Sequence, residues 1–190
     1  AKLMLATLPP QTSFFKLQIN DSMLGQVDPN MKSELDLSFA KVENTIMDSI
    51  AASDDRVVIH QALKHLVVAG NALVFMGKDG LKLFPLHRYV IERDGNGNVI
   101  EIVTKEKISK KLLPDFEDDL TVQDESEHRD DVDVYTHVRR DNNRFLWHQE
   151  VNDKIIPKSV SKAPVETTPW LPLRFNTVDG EPYGRGRVEE

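Results

Sequence analysis

Apolar residues recur along this chain in two rhythms, one of period near 3.6 and one of period 2. The first rhythm comes early. Leu35, Phe39, Val42, Ile46 and Ile50 follow one another at steps of four, three, four and four. That spacing lines one face of a helix and predicts a helix from Ser33, ending at Ala51-Ala52-Ser53. Ser33 followed by Asp36 resembles a capping box at its start. A second helix follows at once. Ser53 is a suitable N-cap, and Asp54 and Asp55 suit the positive end of the helix dipole. Val58, Ala62, Leu66 and Ala69 line one face, and Ile59, Leu63 and Val67 widen it. The wider stripe predicts that the second helix is the more buried of the two. Gly70-Asn71 is a stop signal. The two helices are expected to pack as a helical hairpin under a sheet.

From Ala72 the rhythm changes to strands. Ala72–Met76 and Leu81–Phe84 flank Gly77-Lys78-Asp79-Gly80, a hairpin signal. Tyr89–Arg93 and Val99–Lys105 flank Asp94-Gly95-Asn96-Gly97-Asn98. In the second of these strands Ile100, Ile102 and Thr104 fall on one face. A third hairpin turns at Asn142-Asn143, residues that tolerate the left-handed conformations of a two-residue turn. Its paired positions then sum to 285. Val134 faces Val151, Val138 faces Trp147 and Arg140 faces Phe145, on one face with Thr136 and Gln149. Tyr135 against Glu150 and His137 against His148 occupy the other. A slip of one residue would scatter the apolar set, so the register is well specified.

The remaining segments are less regular. Lys2-Leu3-Met4-Leu5 begins a helix that Leu8-Pro9-Pro10 breaks. Phe14–Ile19 alternates as a short strand, and Asp28-Pro29-Asn30 punctuates. A weaker helix is expected over Ser109–Gln123, interrupted by Pro114. Pro157 to Pro164 reads as an exposed loop. The chain closes on an apolar strand, Trp170–Phe175, a Gly/Pro-rich turn, and what reads as the first turn of a helix. With no Met at position 1, the sequence is expected to be a piece of a longer protein.

Composition narrows the picture modestly. Hydrophobic residues make up 39% and charged residues 29% of 190 positions, as in an ordinary soluble domain. No apolar run approaches the roughly 20 residues a membrane-spanning helix needs. There is no Cys, which excludes disulfides and thiolate chemistry. The net charge of −7 disfavours adhesion to nucleic acid. Much of it is local: ten acidic residues lie between Asp115 and Asp133, against the single Arg129. A solvated acidic loop accounts for them; an acidic face that repels DNA is the sharper alternative.

Candidate chemistry is sparse. Asp94-Gly95-Asn96-Gly97-Asn98-Val99 opens like a calcium loop, but Val99 stands where Gly is needed and Lys105 where a bidentate carboxylate is needed. A hairpin turn explains the same residues. His137 and His148 are cross-strand neighbours, yet two imidazoles make an incomplete zinc site. His60 and His65 are poorly spaced for joint ligation. Gly184-Arg185-Gly186-Arg187 lacks the pattern of a phosphate-binding loop. It reads as a flexible turn, or as an arginine anchor that pairs with a carboxylate of a neighbouring subunit. No hydrolase, zincin or Ser-x-x-Lys motif occurs. No cofactor or metal is expected.

The order of these features resembles the portal, or head-to-tail connector, proteins of short-tailed podovirus-type bacteriophages. The resemblance runs through Leu8-Pro9-Pro10 with Phe14–Leu17, then Leu63–Val74 at the end of the helix pair. Phe84–Val90, Arg93–Val99 and Val134–Val138 follow, and Pro172–Asn176 with Tyr183–Gly186 complete it. It covers nearly the whole chain. Each motif is weak alone; the ordered set is specific.

The resemblance implies an α+β fold, a helical hairpin packed with antiparallel β-hairpins. Residues 1–32 would be an N-terminal arm and 33–190 a wing-like domain. Within it the helix pair spans 33–71, the β-rich part 72–176, and a turn into a truncated stem helix 177–190. It implies a structural subunit, not an enzyme, in a homo-oligomeric ring, usually of twelve. Capsid protein, terminase and tail adaptors would be partners, with DNA passing through non-specifically, and the setting would be the virion. Trp170, Tyr183, Arg185 and Arg187 are candidate subunit-contact residues. A β-rich binding module of a phage tail or surface protein is the alternative, and would need an exposed aromatic cluster. A metal-dependent hydrolase at His137 and His148 would need a third ligand.

Overall fold

A computed structural model of the chain describes residues 2–9, 12–18, 29–113 and 131–188, with the backbone alone at 29–30. Among the described residues three helices precede nine strands: α1 (Lys2–Thr7), α2 (Pro29–Ala52), α3 (Asp55–Ala69), β1 (Asn71–Gly77), β2 (Gly80–Phe84), β3 (Tyr89–Arg93), β4 (Val99–Ser109), β5 (Asp131–Asp141), β6 (Arg144–Val151), β7 (Lys154–Ile155), β8 (Ser161–Pro164) and β9 (Trp170–Arg174). The fold is α+β, as the sequence suggested.

Three layers stack on one another. The upper sheet has the order β2-β1-β9, and the lower β3-β4-β5-β6-β7, with β8 also pairing β6. Between the sheets lie Leu73, Phe84, Tyr89, Ile91, Ile102, Val138, Phe145 and Trp170. On the other face of the upper sheet, Ala62 and Leu66 of α3 meet Ala72, Val74, Leu81, Leu83 and Leu171. β1 is therefore covered on both sides. Its first four residues, Asn71 to Val74, are all buried, which explains the near-continuous apolar run in place of alternation.

All three expected hairpins form, and the third takes the expected register. Gly77 pairs with Gly80 in the first. In the third, Tyr135 pairs with Glu150, His137 with His148, Val138 with Trp147 and Arg140 with Phe145. Of the two turn residues, Asn142 takes the left-handed conformation, at φ 53°.

The middle hairpin departs from strict alternation. The pairing shifts between Glu92 and Arg93, so that Arg93 lies opposite Val99. This bulge places an extra residue in β4 and reverses the faces beyond it. Ile102 and Thr104 stay buried, Ile100 is turned outward at 36% exposure, and Val99 joins the core in its place.

Five further expectations change. Helix α2 begins at Pro29, upstream of Ser33, with Pro at the first helical position. It follows directly into α3 but does not share that helix's place against the sheet: none of its residues 31–52 is buried, and Val42 remains 46% exposed. α3 carries the helix–sheet contact, and the arm beside α2 supplies a tie, Leu17 N donating to Glu43 Oε1 at 2.6 Å. Residues 14–18 form no strand, having no partner strand, and Ile19 lies outside the described residues. Pro157–Pro164 is not loop throughout, because Ser161–Pro164 pairs with the otherwise open edge of β6. The helix expected from Ser109 is not seen there: Ser109 ends β4, Lys110–Leu112 is a single 3-10 turn, and 114–123 lie outside the described residues, as does most of the acidic run. Of the expected turn into a truncated stem helix over 177–190, the described residues up to Val188 show turns and no helix, and 189–190 lie outside them.

Candidate assembly site at the end of helix α3

Helix α3 is fixed at both ends by distant parts of the chain. At its start, Ser53 Oγ accepts from Asp55 N at 3.3 Å, and Asp55 Oδ1 accepts from Leu81 N of β2 at 2.7 Å. At its end, Gly70 adopts φ 72° and its N–H returns to Leu66 O. A helix leaves its last carbonyls without intrahelical donors. Here Asn71 Nδ2 donates to Ala69 O at 2.8 Å, Phe175 N to Gly70 O at 2.9 Å, and Arg187 N to Val67 O at 2.9 Å.

Residues 184–187 thus cross the end of α3. Asn71, 3% exposed, holds them with two bonds of 2.7 Å: its Nδ2 donates to Gly184 O and its Oδ1 accepts from Gly184 N. Asn176 and Arg185 exchange backbone bonds as an isolated antiparallel bridge. Gly184 and Gly186 are buried, and Arg185 and Arg187 exposed. The glycines are a packing requirement. A Cβ on Gly186 would lie 2.1 Å from Val68 O, and one on Gly184 2.8 Å from Gly70 O. The Gly-Arg-Gly-Arg pattern is therefore an ordered strap whose small residues face the helix and whose guanidiniums face outward. Arg185 Nη2 meets Glu181 Oε1 at 2.7 Å.

The loop leading into the strap is stapled to the lower sheet. Tyr183 Oη accepts from Ile91 N at 3.1 Å, occupying a backbone donor of β3, which ends that sheet. Arg93 donates to Pro182 O, Gly97 O and Pro172 O at 3.1, 2.9 and 3.3 Å. Burial lowers its pKa, and the neighbouring Arg174 lowers it further. Arg174 Nη1 donates to Glu181 O at 3.1 Å. Neither arginine stood out in the sequence. Their partners are carbonyls, which leave no mark on side-chain patterns.

Trp170 is 5% exposed and belongs to the inter-sheet core. It packs beside Phe75, Phe84 and Trp147 at centroid distances of 4.5, 6.0 and 6.5 Å. Of the four candidate contact residues, the structure brings Tyr183, Arg185 and Arg187 together on the strap and its approach. Trp170 is not with them: it is buried between the sheets, opposite Phe75, and so is not a surface contact in this chain.

The alternative sites resolve as follows. Asp94 Oδ1 accepts from Asn96 N and Asn98 N, and Oδ2 from Asn98 Nδ2. Those bonds, the Asn98 side-chain bond first, lower the Asp94 pKa, and the carboxylate is engaged in the turn. His137 and His148 are neighbours, with rings 5.4 Å apart. His137 Nε2 pairs with Glu101 Oε1, and His148 Nε2 lies 3.7 Å from Glu150 Oε2. Among the described residues no group of three or more His, Asp or Glu is placed to hold a metal ion, and no helix is long and apolar enough to cross a membrane.

The chain is thus a layered α+β body with residues 184–187 strapped across the end of α3. Residues 1–190 match the family described as "Bacteriophage head to tail connecting protein", and the chain belongs to that family. All of it aligns with the portal protein of Enterobacteria phage T3 at 37% identity and with that of Escherichia phage T7 at 36%. The portal protein of Enterobacteria phage SP6 aligns with all of it at 29%. The chain spans 37% of the T3 protein's length and 38% of each of the other two.

Proposed function

We propose that this chain is a structural part of a phage portal, a ring at one capsid vertex through which DNA is packaged and ejected. One observation carries the reading: every residue from 1 to 190 falls within the connector family's match. The three-layer core suits a scaffold, since a ring subunit must present two different contact faces in a fixed relation. The net charge of −7 suits a conduit wall, because tight phosphate contacts would retain the DNA. On this reading the protein makes and breaks no covalent bond, and it resides in the virion. Its partners are further copies of itself, twelve to a ring, together with capsid protein, terminase and tail adaptors.

Within that ring, Arg185 and Arg187 are the contact residues: Arg187 offers a planar fork to a neighbour's carboxylate, and Arg185 presents its outward ion pair with Glu181 to the same neighbour. Tyr183 acts behind them by fixing the strap's approach, while Trp170 supports the contact face only through the inter-sheet core. Electron microscopy of the full-length protein should show rings with a central hole; persistent monomers would count against the reading. Residues 1–190 alone should sediment mainly as a monomer, and a stable dodecamer of this piece would overturn that expectation. In the full-length protein, Arg185→Glu with Arg187→Glu should weaken ring formation without lowering the monomer's melting temperature. Unchanged assembly would remove both residues from the contact.

A further inference from the structure

The strap over α3 is also that helix's cap, and the two are not separable. Arg187 N serves Val67 O, while Asn71 uses one amide group to hold both Ala69 O and Gly184 O. Lifting the strap strips the Arg187 N–H from Val67 O at the helix end and also leaves the Asn71 carboxamide oxygen without Gly184 N. Partial opening is unfavourable because buried polar groups left unpaired cost more than the bonds gain when made. The contact is close: Gly70, Gly184 and Gly186 each lack room for a Cβ.

We propose that residues 184–187 and the last turn of α3 form one latch that opens and closes as a unit, with Asn71 as its positioning residue. The loop before the strap is held separately, through Tyr183 on Ile91 and Arg93 on Pro182, so it stays in place when the latch opens. A displacement of the chain on the C-terminal side of the strap therefore reaches α3 and β1 first and leaves the lower sheet undisturbed. The inference rests on contacts within one chain and holds whatever assembly that chain joins.

Residue-resolved hydrogen exchange of this chain tests it. In wild type, the amides of Gly70, Gly184 and Arg187 should share one opening curve as urea is raised below the unfolding transition. That curve should lie well below the stability of the β4–β5 amides. Asn71→Ala should speed exchange of all three by at least tenfold, leaving β4–β5 and Ile91 unchanged. Loss of protection at Gly184 and Arg187 with Gly70 still protected would overturn the latch, as would three unchanged rates. Should Asn71→Ala not fold, the wild-type series decides alone: one curve supports the latch and divergent curves refute it.

Discussion

Phe75 and Trp170 face each other across β1 and β9, and their rings lie 4.5 Å apart between the two sheets. The pair fastens the edge strand β9 to the centre of the molecule. β9 contains Pro172, which a sheet tolerates at an edge because no ladder N–H is needed there.

Truncating this indole should therefore be costly. Trp170→Ala removes the ring that Phe75, Phe84 and Trp147 pack against. It should destabilise the chain by about 3–5 kcal/mol, as large-to-small changes in cores do. Urea denaturation followed by circular dichroism measures the loss. A change below about 1 kcal/mol would mean that the two sheets are held elsewhere.

The strap glycines should be far less replaceable than a turn glycine. Gly186→Ala places a Cβ 2.1 Å from the Val68 carbonyl oxygen, whereas a Cβ on Gly95 meets nothing within 4 Å. Gly186→Ala should cost several kcal/mol or prevent the strap from seating, while Gly95→Ala should change stability by no more than about 0.5 kcal/mol. Thermal melts of the two variants side by side make the comparison. Equal melting temperatures would contradict the close packing.

Arg93 should act as a polar core residue. Arg93→Ala leaves the carbonyls of Gly97, Pro172 and Pro182 without their donor. A loss of about 1–3 kcal/mol is expected from partly buried groups left unpaired. Arg93→Lys should rescue little of it, since an ammonium on a flexible stem cannot reproduce the planar fork. Full rescue by Lys would show that charge alone matters at this position.

Alkaline pH should expose the strain on Tyr89. Burial raises its phenol pKa well above the ordinary value, and the nearby Tyr183 phenol raises it further. Above pH about 10 a tyrosine in the unfolded chain loses its proton, while the folded one keeps it. The unfolded state then binds fewer protons, so stability is complete below that pH and falls as pH rises towards the folded pKa. Tyr89→Phe should flatten the decline between pH 9.5 and 11 in urea melts, on the scale set by an unperturbed phenol near pH 10. An unchanged slope would place the titrating group elsewhere.

The sequence's legibility followed the range of the interactions involved. The hairpin at Asn142-Asn143 was readable in full register, because a short turn and a period-2 pattern are local and agree with each other. Gly70 as the stop of α3 was equally local. Ile100 misled because a bulge is set by how β3 and β4 pair, and no residue of β4 alone reveals it. The stripe on α2 misled for a related reason: periodicity shows that a helix has an apolar face, not what covers it.

Local rules alone thus determined that two long helices precede three hairpins, and the register of the hairpin at Asn142-Asn143, since propensity, turn chemistry and alternation act over a few residues. The ordered family resemblance added the class of protein. Only the tertiary structure decided that the sheets stack beneath α3, that Trp170 lies between them, and that Gly184 returns to Asn71, 113 positions away. Such contacts form when distant backbone groups, stripped of water, find each other, and that outcome depends on the packing of the whole chain.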